Sequence, residues 1–141
     1  MATTTRNRSE EIEQARLIKW THRQDVRALM PALKFIHHSP NGGKRSAFTG
    51  AQMKALGVKP GFPDLILPVA KRLTSTSVVY PGLVIEMKSD TGTLSAEQKE
   101  WKAHFLAEGW QFRLARSAQE ARSELCQYLG IPEDTAPPLI E

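Results

Sequence analysis

An acid and a base lie two residues apart in segment 82–88 (GLVIEMK), the segment that most strongly predicts a β-strand. Side chains alternate between the two faces of a strand, so Glu86 and Lys88 point the same way. Burying either charge without a partner is costly, which a purely structural position would normally avoid. An exposed ion pair worth about 0.5 kcal/mol would also explain the pattern. The E-x-K pair alone is therefore a weak indication of catalysis.

A second acid, Asp64, strengthens the catalytic interpretation. It follows a stiff bend at 60–63 (PGFP) and precedes 65–67 (LIL), a run typical of a buried strand. Asp64 could simply cap the proline turn. If its strand neighbours that of Glu86, however, the two backbones approach within about 5.5 Å. Two carboxylates that close repel each other unless a cation lies between them.

The chemistry that these three residues favour is metal-dependent phosphodiester hydrolysis. Magnesium is typically held by one or two carboxylates and keeps water molecules that can face a substrate phosphate. Lys88 beside such an ion can orient or deprotonate a water, or offset charge that develops on the phosphate.

The elements that must position these residues follow from hydrophobic periodicity and from cap and turn signals. Ser9 is the predicted N-cap of the first helix, Pro31 ends that helix, and Gly130 caps the last one. Residues 72–77 are Ser/Thr-rich and predict a mobile connection. The predicted elements are helices over 9–29, 49–56, 95–108 and 117–129, and strands over 34–38, 64–67, 82–88 and 111–115. This mixed order predicts an α/β fold, with a central sheet covered by helices.

Length and composition fit one domain with ordinary globular character. The chain has 141 residues, of which 40% are hydrophobic and 24% charged. We expect a flexible N-terminal tail over 1–8, a single domain over 9–130 and a loose, Pro-rich C-terminal tail over 131–141. The net charge of +4 suits a polyanionic partner without proving one.

The same sequence argues against several other classes. The single cysteine, Cys126, cannot form an internal disulfide, so nothing indicates an oxidising compartment. No apolar run approaches the roughly 20 residues that span a bilayer, and the polar N-terminus lacks a signal-peptide core. A cytoplasmic location is therefore the default expectation.

Asp64, Glu86 and Lys88, with Pro63 before the first acid, reproduce the PD…E-x-K signature of the PD-(D/E)XK nuclease superfamily. The segments 39–45 (SPNGGKR), 61–64 (GFPD) and 94–98 (LSAEQ) closely resemble the VRR-NUC branch of that superfamily. The resemblance runs from about Ser9 to Leu129. It implies a restriction-endonuclease-like αβββαβ core, in which helices flank a central mixed β-sheet.

The resemblance also implies further site residues. A glutamate on the first helix usually completes the metal site, and Glu10, Glu11 and Glu13 compete for that role. The E-x-x-x-Q spacing of the branch matches Glu10 and Gln14, which favours Glu10, with Glu13 as the alternative. The implied metal ligands are therefore Asp64, Glu86 and Glu10, and the implied ion is Mg²⁺ or Mn²⁺.

Gln98 has two interpretations of equal weight. It is the third residue after the predicted N-cap Ser95, so it can simply complete a capping box. The family pattern implies that it also faces the active site and steadies Lys88 or the phosphate. Both interpretations stay open at the level of the sequence.

Candidate DNA contacts lie mainly between the first strand and Asp64. Segment 41–43 (NGG) can expose backbone N–H groups to a phosphate. Basic side chains neutralise phosphates, although a solvated lysine needs no partner. The predicted DNA-binding residues are Asn41, Gly42, Gly43, Lys44, Arg45 and Lys59.

Other cationic residues are weaker candidates. His37 and His38 are adjacent in a predicted strand and face opposite ways, so we expect core or surface roles rather than a shared metal. Arg113 or Arg116 on the last strand could contact DNA, but an exposed strand-end arginine needs no function.

Stand-alone members of the branch resemble structure-specific nucleases. The resemblance implies a homodimer that cuts branched DNA, particularly four-way (Holliday) junctions, with one active site per strand. No base-reading motif is recognisable, so binding through the DNA backbone and shape is expected. The alternatives are a flap- or end-directed nuclease or nickase, and a DNA-binding module with a vestigial site. The last is disfavoured because all three signature residues are present together.

Overall fold

The computed structural model describes residues 2–39 and 47–140, with side chains described within 8–39 and 50–140. Its helices are α1 (Ala2–Thr21), α2 (Gln24–Leu29), α3 (Ala47–Ala55), α4 (Ala96–Ala107) and α5 (Ala118–Leu129). Its strands are β1 (His37–His38), β2 (Leu65–Leu67), β3 (Lys71–Thr74), β4 (Ser77–Tyr80), β5 (Leu83–Met87) and β6 (Gln111–Ala115). Short 3₁₀ helices cover Pro31–Phe35 and Glu133–Thr135.

The main sheet has the strand order β1-β2-β5-β6. β2 pairs antiparallel with both β1 and β5, whereas β5 and β6 are parallel. This mixed sheet flanked by helices confirms the predicted α/β fold. All of β5 is buried, as expected for a strand that is covered on both faces.

Alternation along β5 divides the core into two layers. Ile85 and Met87 pack with Leu17 of α1 and Leu125 of α5 on one face. Val84 packs with aromatic residues of α4 and β6 on the opposite face. Because strand side chains alternate, Glu86 shares the α4 side with Val84. The sequence of β5 thus directs an acid toward α4, at the end of a strand that is otherwise apolar.

The N-terminal helix differs from its prediction at both ends. α1 begins at Ala2, so Ser9 lies inside the helix, and it ends at Thr21 rather than near Leu29. The chain is extended at Arg23 before α2 begins. This break turns Val26 into the core, where it is fully buried. One continuous helix was therefore the wrong prediction, because packing of the second half requires a change of direction.

Two further segments also depart from expectation. The strand predicted over 34–38 is reduced to the β1 pair, and the 3₁₀ helix Pro31–Phe35 precedes it. Residues 71–80 form the β3–β4 hairpin instead of an irregular connection. The hydroxyl of Thr74 accepts hydrogen bonds from the backbone N–H groups of Thr76 and Ser77, so the Ser/Thr-rich sequence closes a turn.

The segment after Pro132 packs against the body of the protein, so the expectation of a loose C-terminal tail was wrong. The indole N–H of Trp20 donates to the Pro137 carbonyl at 2.8 Å. The buried guanidinium of Arg122 donates to the carbonyls of Glu133, Ala136 and Pro137 at 2.9, 2.9 and 3.1 Å. These buried donors need acceptors, which the backbone of the Pro-rich segment supplies. None of the described helices is long and apolar enough to cross a membrane.

Candidate active site

Asp64 and Glu86 meet where the antiparallel strands β2 and β5 lie side by side. Leu65 pairs with Ile85, so Asp64 just before β2 lies opposite the end of β5 that carries Glu86. One oxygen of Asp64, Oδ2, accepts a hydrogen bond of 2.8 Å from the backbone N–H of Met87. The predicted adjacency of the two strands is confirmed, and Asp64 lies close enough to Glu86 for its charge to raise the pKa of that carboxyl.

Glu86 is the most constrained acid at this place, with only 2% of its surface exposed. Burial first, and then the neighbouring Asp64 carboxyl, raise the pKa of its carboxyl to about 10, while Lys88 opposes the shift. Its Oε2 accepts a hydrogen bond of 3.0 Å from Gln98. Its buried Oε1 has no hydrogen-bond donor in the part of the chain that the structure describes. Two carboxylates so placed can bond only through a shared proton or a cation.

Lys88 lies just beyond β5, and its side chain is buried with 7% exposure. Its backbone N–H donates to the Ala115 carbonyl at 2.9 Å, which extends the pairing with β6. A Cβ atom at Gly92 would lie 3.3 Å from the Lys88 side chain and 3.1 Å from the Ser89 hydroxyl. The glycine therefore leaves room for the lysine to lie beside Glu86.

The structure distinguishes the glutamates of α1. Glu10 accepts a hydrogen bond of 3.1 Å from the backbone N–H of Ser89, the residue after Lys88. Glu13 instead accepts one of 2.8 Å from Ala118 at the start of α5, and it pairs with Arg16. Glu11 is exposed. Glu10 is thus the acid of this group that reaches the end of β5, and its charge also raises the pKa of Glu86.

Gln98 completes the predicted capping box and also faces the candidate site, where it contacts Glu86. Its Oε1 accepts a hydrogen bond from the Ser95 backbone and its own backbone N–H donates to the Ser95 hydroxyl, which completes the capping box of α4. Its amide nitrogen simultaneously donates to Glu86. The side chain therefore holds the carboxylate, rather than Lys88, from the first turn of α4.

Arg116 binds the backbone of the protein itself, in contrast to the DNA contact considered for it. Its guanidinium donates to the backbone carbonyls of Ser89, Asp90 and Gly92 at 2.6, 3.2 and 2.9 Å. It therefore holds the loop that follows Lys88. The other candidate arginine, Arg113, forms an ion pair of 3.1 Å with Glu124 on α5. The sequence signal for the loop contact was only an arginine directly after a predicted strand.

His38 is a residue of this site that the sequence did not single out. Its Nδ1 lies 2.7 Å from the backbone carbonyl of Asp64, and it must donate because a carbonyl only accepts. This contact arises because His38 pairs with Leu65 in the sheet. Two adjacent histidines in the sequence do not indicate such a pairing.

The predicted DNA contacts are only partly described. Asn41, Gly42, Gly43, Lys44 and Arg45 lie outside the described residues. Lys59 is described and exposed, and it borders a groove beside the site.

The donor set suits a hard divalent cation held by few protein ligands. Within residues 2–39 and 47–140, no group of three or more His, Cys, Asp or Glu side chains is arranged as a metal cluster. Asp64 and Glu86 nevertheless provide two adjoining carboxylates, and Glu86 Oε1 is a buried oxygen without a donor. Magnesium-like ions need only one or two carboxylates when they retain waters.

Comparison with known proteins places this arrangement in a family. The sequence model of the VRR-NUC domain matches residues 8–119, most of the chain. The chain belongs to the VRR-NUC family. A solved structure described as "VRR_NUC domain protein" is similar to this VRR-NUC chain, with 30% identity and a TM-score of 0.68. The similarity covers 87% of this chain and 89% of the other. No curated protein matches the chain.

The VRR-NUC assignment makes the chain a member of a nuclease family. The matched span contains the side chains that converge at the end of β5. These side chains are Glu10, Asp64, Glu86, Lys88 and Gln98.

Proposed function

We propose that this VRR-NUC protein is a metal-dependent, structure-specific DNA endonuclease whose site is built on Asp64, Glu86 and Lys88. The observation that carries the proposal is the buried Glu86 carboxyl, which faces Asp64 and has one oxygen without a donor. Burying two adjacent acids weakens a fold unless binding of a cation offsets the repulsion. Mg²⁺ or Mn²⁺ is the cation that such oxygen ligands favour.

Each residue of the proposed site has a separate role in catalysis. A divalent ion, when bound, supplies Lewis-acid stabilisation and lowers the pKa of water. Asp64 and Glu86 are the groups that would hold it. Gln98 fixes the orientation of the Glu86 carboxylate, because its own amide is tied to the helix cap. Lys88 orients the attacking water or offsets charge on the phosphate.

Glu10 acts on the backbone at the same place. Its hydrogen bond to the N–H of Ser89 fixes the chain directly after Lys88. This contact leaves its second carboxylate oxygen as a further candidate metal ligand. Glu10 therefore completes the proposed site either as a ligand or as the group that positions Lys88.

The proposed substrate is branched DNA, in particular a four-way junction that a homodimer cuts symmetrically. The resemblance to stand-alone VRR-NUC proteins and the net charge of +4 support DNA as the partner. Two symmetric incisions require two active sites, which a two-fold dimer supplies. The second candidate is a flap- or end-directed nuclease, favoured by a groove whose lining includes the aromatic residues Phe62 and Trp101 and the cation Lys59.

Cleavage of end-labelled four-way junction, flap and linear duplex, with Mg²⁺, Mn²⁺ or EDTA, tests the proposal. We expect metal-dependent incision of branched DNA. Asp64→Asn and Lys88→Met should reduce incision by at least about 100-fold while DNA binding persists. Asp134→Asn and Lys19→Met are matched controls at exposed positions away from the site.

The outcomes separate the candidate functions. Undiminished cleavage by Asp64→Asn would exclude the proposed site. DNA binding by the wild-type protein without cleavage in either metal would indicate a vestigial nuclease site. A monomer by light scattering, with activity confined to flaps or ends, would replace the junction-cutting dimer with the second candidate.

A further inference from the structure

We propose that a groove next to the active site binds one unpaired nucleotide of the DNA substrate. We call it the Trp101 groove; it has a volume of about 380 Å³. Its lining includes Ser39, Leu56, Val58, Lys59, Phe62 and Trp101. The inference rests on the proposed function, because it assumes that the substrate is DNA.

The Trp101 groove borders the candidate active site through two chain segments. Phe62 lies two residues before Asp64, and Trp101 lies three residues after Gln98 on α4. Between them, Gly61 lies so close to α4 that an added Cβ would be 2.6 Å from the backbone carbon of Glu97. The segment that leads to Asp64 and the helix that carries Gln98 therefore pack tightly against each other.

The rings of the groove are held in place but are not fully covered. The indole N–H of Trp101 donates to the Pro60 carbonyl at 3.0 Å. The rings of Phe62 and Trp101 meet edge to face, with centroids 4.9 Å apart. Trp101 itself is half-buried. A fixed, partly exposed indole can therefore receive a flat apolar ligand without first losing conformational freedom.

Exposed aliphatic side chains and one cation complete the binding surface. Leu56 is 86% exposed and Val58 37% exposed, so both offer apolar surface at the groove. Lys59 is an exposed cation at the same groove. An aromatic surface with an adjacent cation suits a nucleobase and its phosphate.

The geometry favours an unpaired nucleotide over the other occupants. Base pairing and stacking hide the faces of bases inside a duplex, so only an unpaired base can pack against Trp101. A second copy of the chain needs about 800 Å² of surface on each partner. The exposed large hydrophobic residues that line the groove are only Leu56 and Val58 among the described residues, too few for such an interface.

The consequence is a preference built into the nuclease. DNA with an unpaired nucleotide near the cleaved bond, as in a flap or an opened junction, gains a contact that linear duplex cannot make. The groove thus selects substrate structure, whereas the site at the end of β5 performs the hydrolysis.

Binding measurements on the Asp64→Asn protein in EDTA test this inference without cleavage. The probes are a labelled duplex with a single-nucleotide flap, which carries 2-aminopurine at the unpaired position, and a fully paired duplex of equal length. We expect Leu56→Gln and Trp101→Leu to weaken flap binding by about fivefold to tenfold. Binding of the paired duplex should change less than twofold.

Two further readouts identify the contact. The 2-aminopurine fluorescence should be quenched on binding, and Trp101→Leu should remove the quenching. Lys59→Gln should make flap binding less dependent on salt, by about the change in slope that one phosphate contact produces. Leu106→Gln is the matched control, because Leu106 is 50% exposed on the same helix but does not line the groove.

Contrary results are distinguishable from failure of the proposed function. Equal loss of flap and duplex binding, or retained quenching in Trp101→Leu, would overturn the inference. Conversion of a dimer to a monomer by Leu56→Gln, with unchanged flap preference, would assign the groove to a second copy of the chain. If the wild-type protein shows metal-dependent cleavage but the groove variants bind the flap as tightly as it does, the nuclease proposal stands and only this inference is rejected. If Trp101→Leu fails to fold, Leu56→Gln still decides, since its side chain is almost fully exposed.

Discussion

At the scale of single residues, Glu86 connects the stability of the protein to its proposed chemistry. Its pKa is about 10 in the folded chain against an ordinary value of 4.5, so folding favours the protonated form. The stabilisation from that proton is complete below pH 4.5 and is lost as the pH rises toward 10. Near neutral pH, the carboxyl of the metal-free folded protein is therefore protonated, and folding bears the cost of taking up that proton.

Replacing this acid should stabilise the metal-free protein. We expect Glu86→Gln to raise the Tm in EDTA at pH 7 by about 3–10 °C, since one kcal/mol corresponds to about 2–8 °C. The gain should vanish near pH 4, where the carboxyl is protonated in the unfolded chain as well as in the folded one. Thermal unfolding across pH 4–8 measures this, with Glu97→Gln at an exposed position as the control. A gain that is independent of pH would contradict the assigned cause.

The same variant also separates stability from metal binding. The wild-type Tm should rise when Mg²⁺ or Mn²⁺ is added, because a ligand that binds only the folded state stabilises it. Glu86→Gln should lose most of that rise together with cleavage. A full metal-induced rise in the variant would mean that the ion binds elsewhere.

At the scale of elements, the loop after β5 depends on a side chain from beyond β6. Arg116 donates to three of the carbonyls of this loop, and Glu10 accepts from its first N–H. The loop begins directly after Lys88. Its conformation therefore determines where the ammonium group lies relative to Glu86.

Arg116→Lys should disturb that position while keeping the charge. All three carbonyls accept from the terminal nitrogen Nη1, and a lysine side chain is one atom shorter, so we expect cleavage to fall by about 10-fold to 100-fold. The half-saturating metal concentration should rise, whereas DNA affinity in EDTA should stay within twofold. Arg113→Lys is the control, since its ion pair with Glu124 lies away from the loop. A parallel loss of DNA affinity would instead support a direct DNA contact.

How far the sequence predicts an element depends on whether its determinants are local. The capping box at Ser95, the apolar run of β5 and the positive-φ Gly130 after α5 are local signals, and their elements formed within a residue or two of prediction. The turn between α1 and α2 is not local. It depends on where Val26 must pack, and a helical period continues through it.

The candidate site was likewise predictable only where its residues depend on local patterns. Asp64, Glu86 and Lys88 follow from strand alternation and the adjacency of two strands. The choice between Glu10 and Glu13 depends instead on which backbone N–H group each meets, Ser89 or Ala118. Those partners are distant in sequence, as is the contact between His38 and Asp64. Apart from the E-x-x-x-Q spacing of the family, which favoured Glu10, no local pattern indicates these contacts.

At the scale of the whole molecule, α1 joins the active site to the C-terminal segment. Glu10 at its middle contacts the loop after Lys88, and Trp20 near its end donates to Pro137. Arg122 of α5 binds the same C-terminal segment, and α1 packs on α5. The segment after Pro132 therefore holds in place the two helices that frame the site.

Removal of residues 133–141 should weaken both stability and activity. It would remove the hydrogen bonds of Trp20 and Arg122 and expose the apolar core that the segment covers, and each lost hydrogen bond contributes about 0.5–1.5 kcal/mol. We expect the Tm to fall by at least about 10 °C, and cleavage at 20 °C to fall because α1 no longer holds Glu10 firmly. Removal of residues 140–141 alone is the control, since Ile140 is 69% exposed. Unchanged unfolding of the longer deletion would show that the segment covers α1 and α5 without stabilising them, and cleavage would then be independent of it.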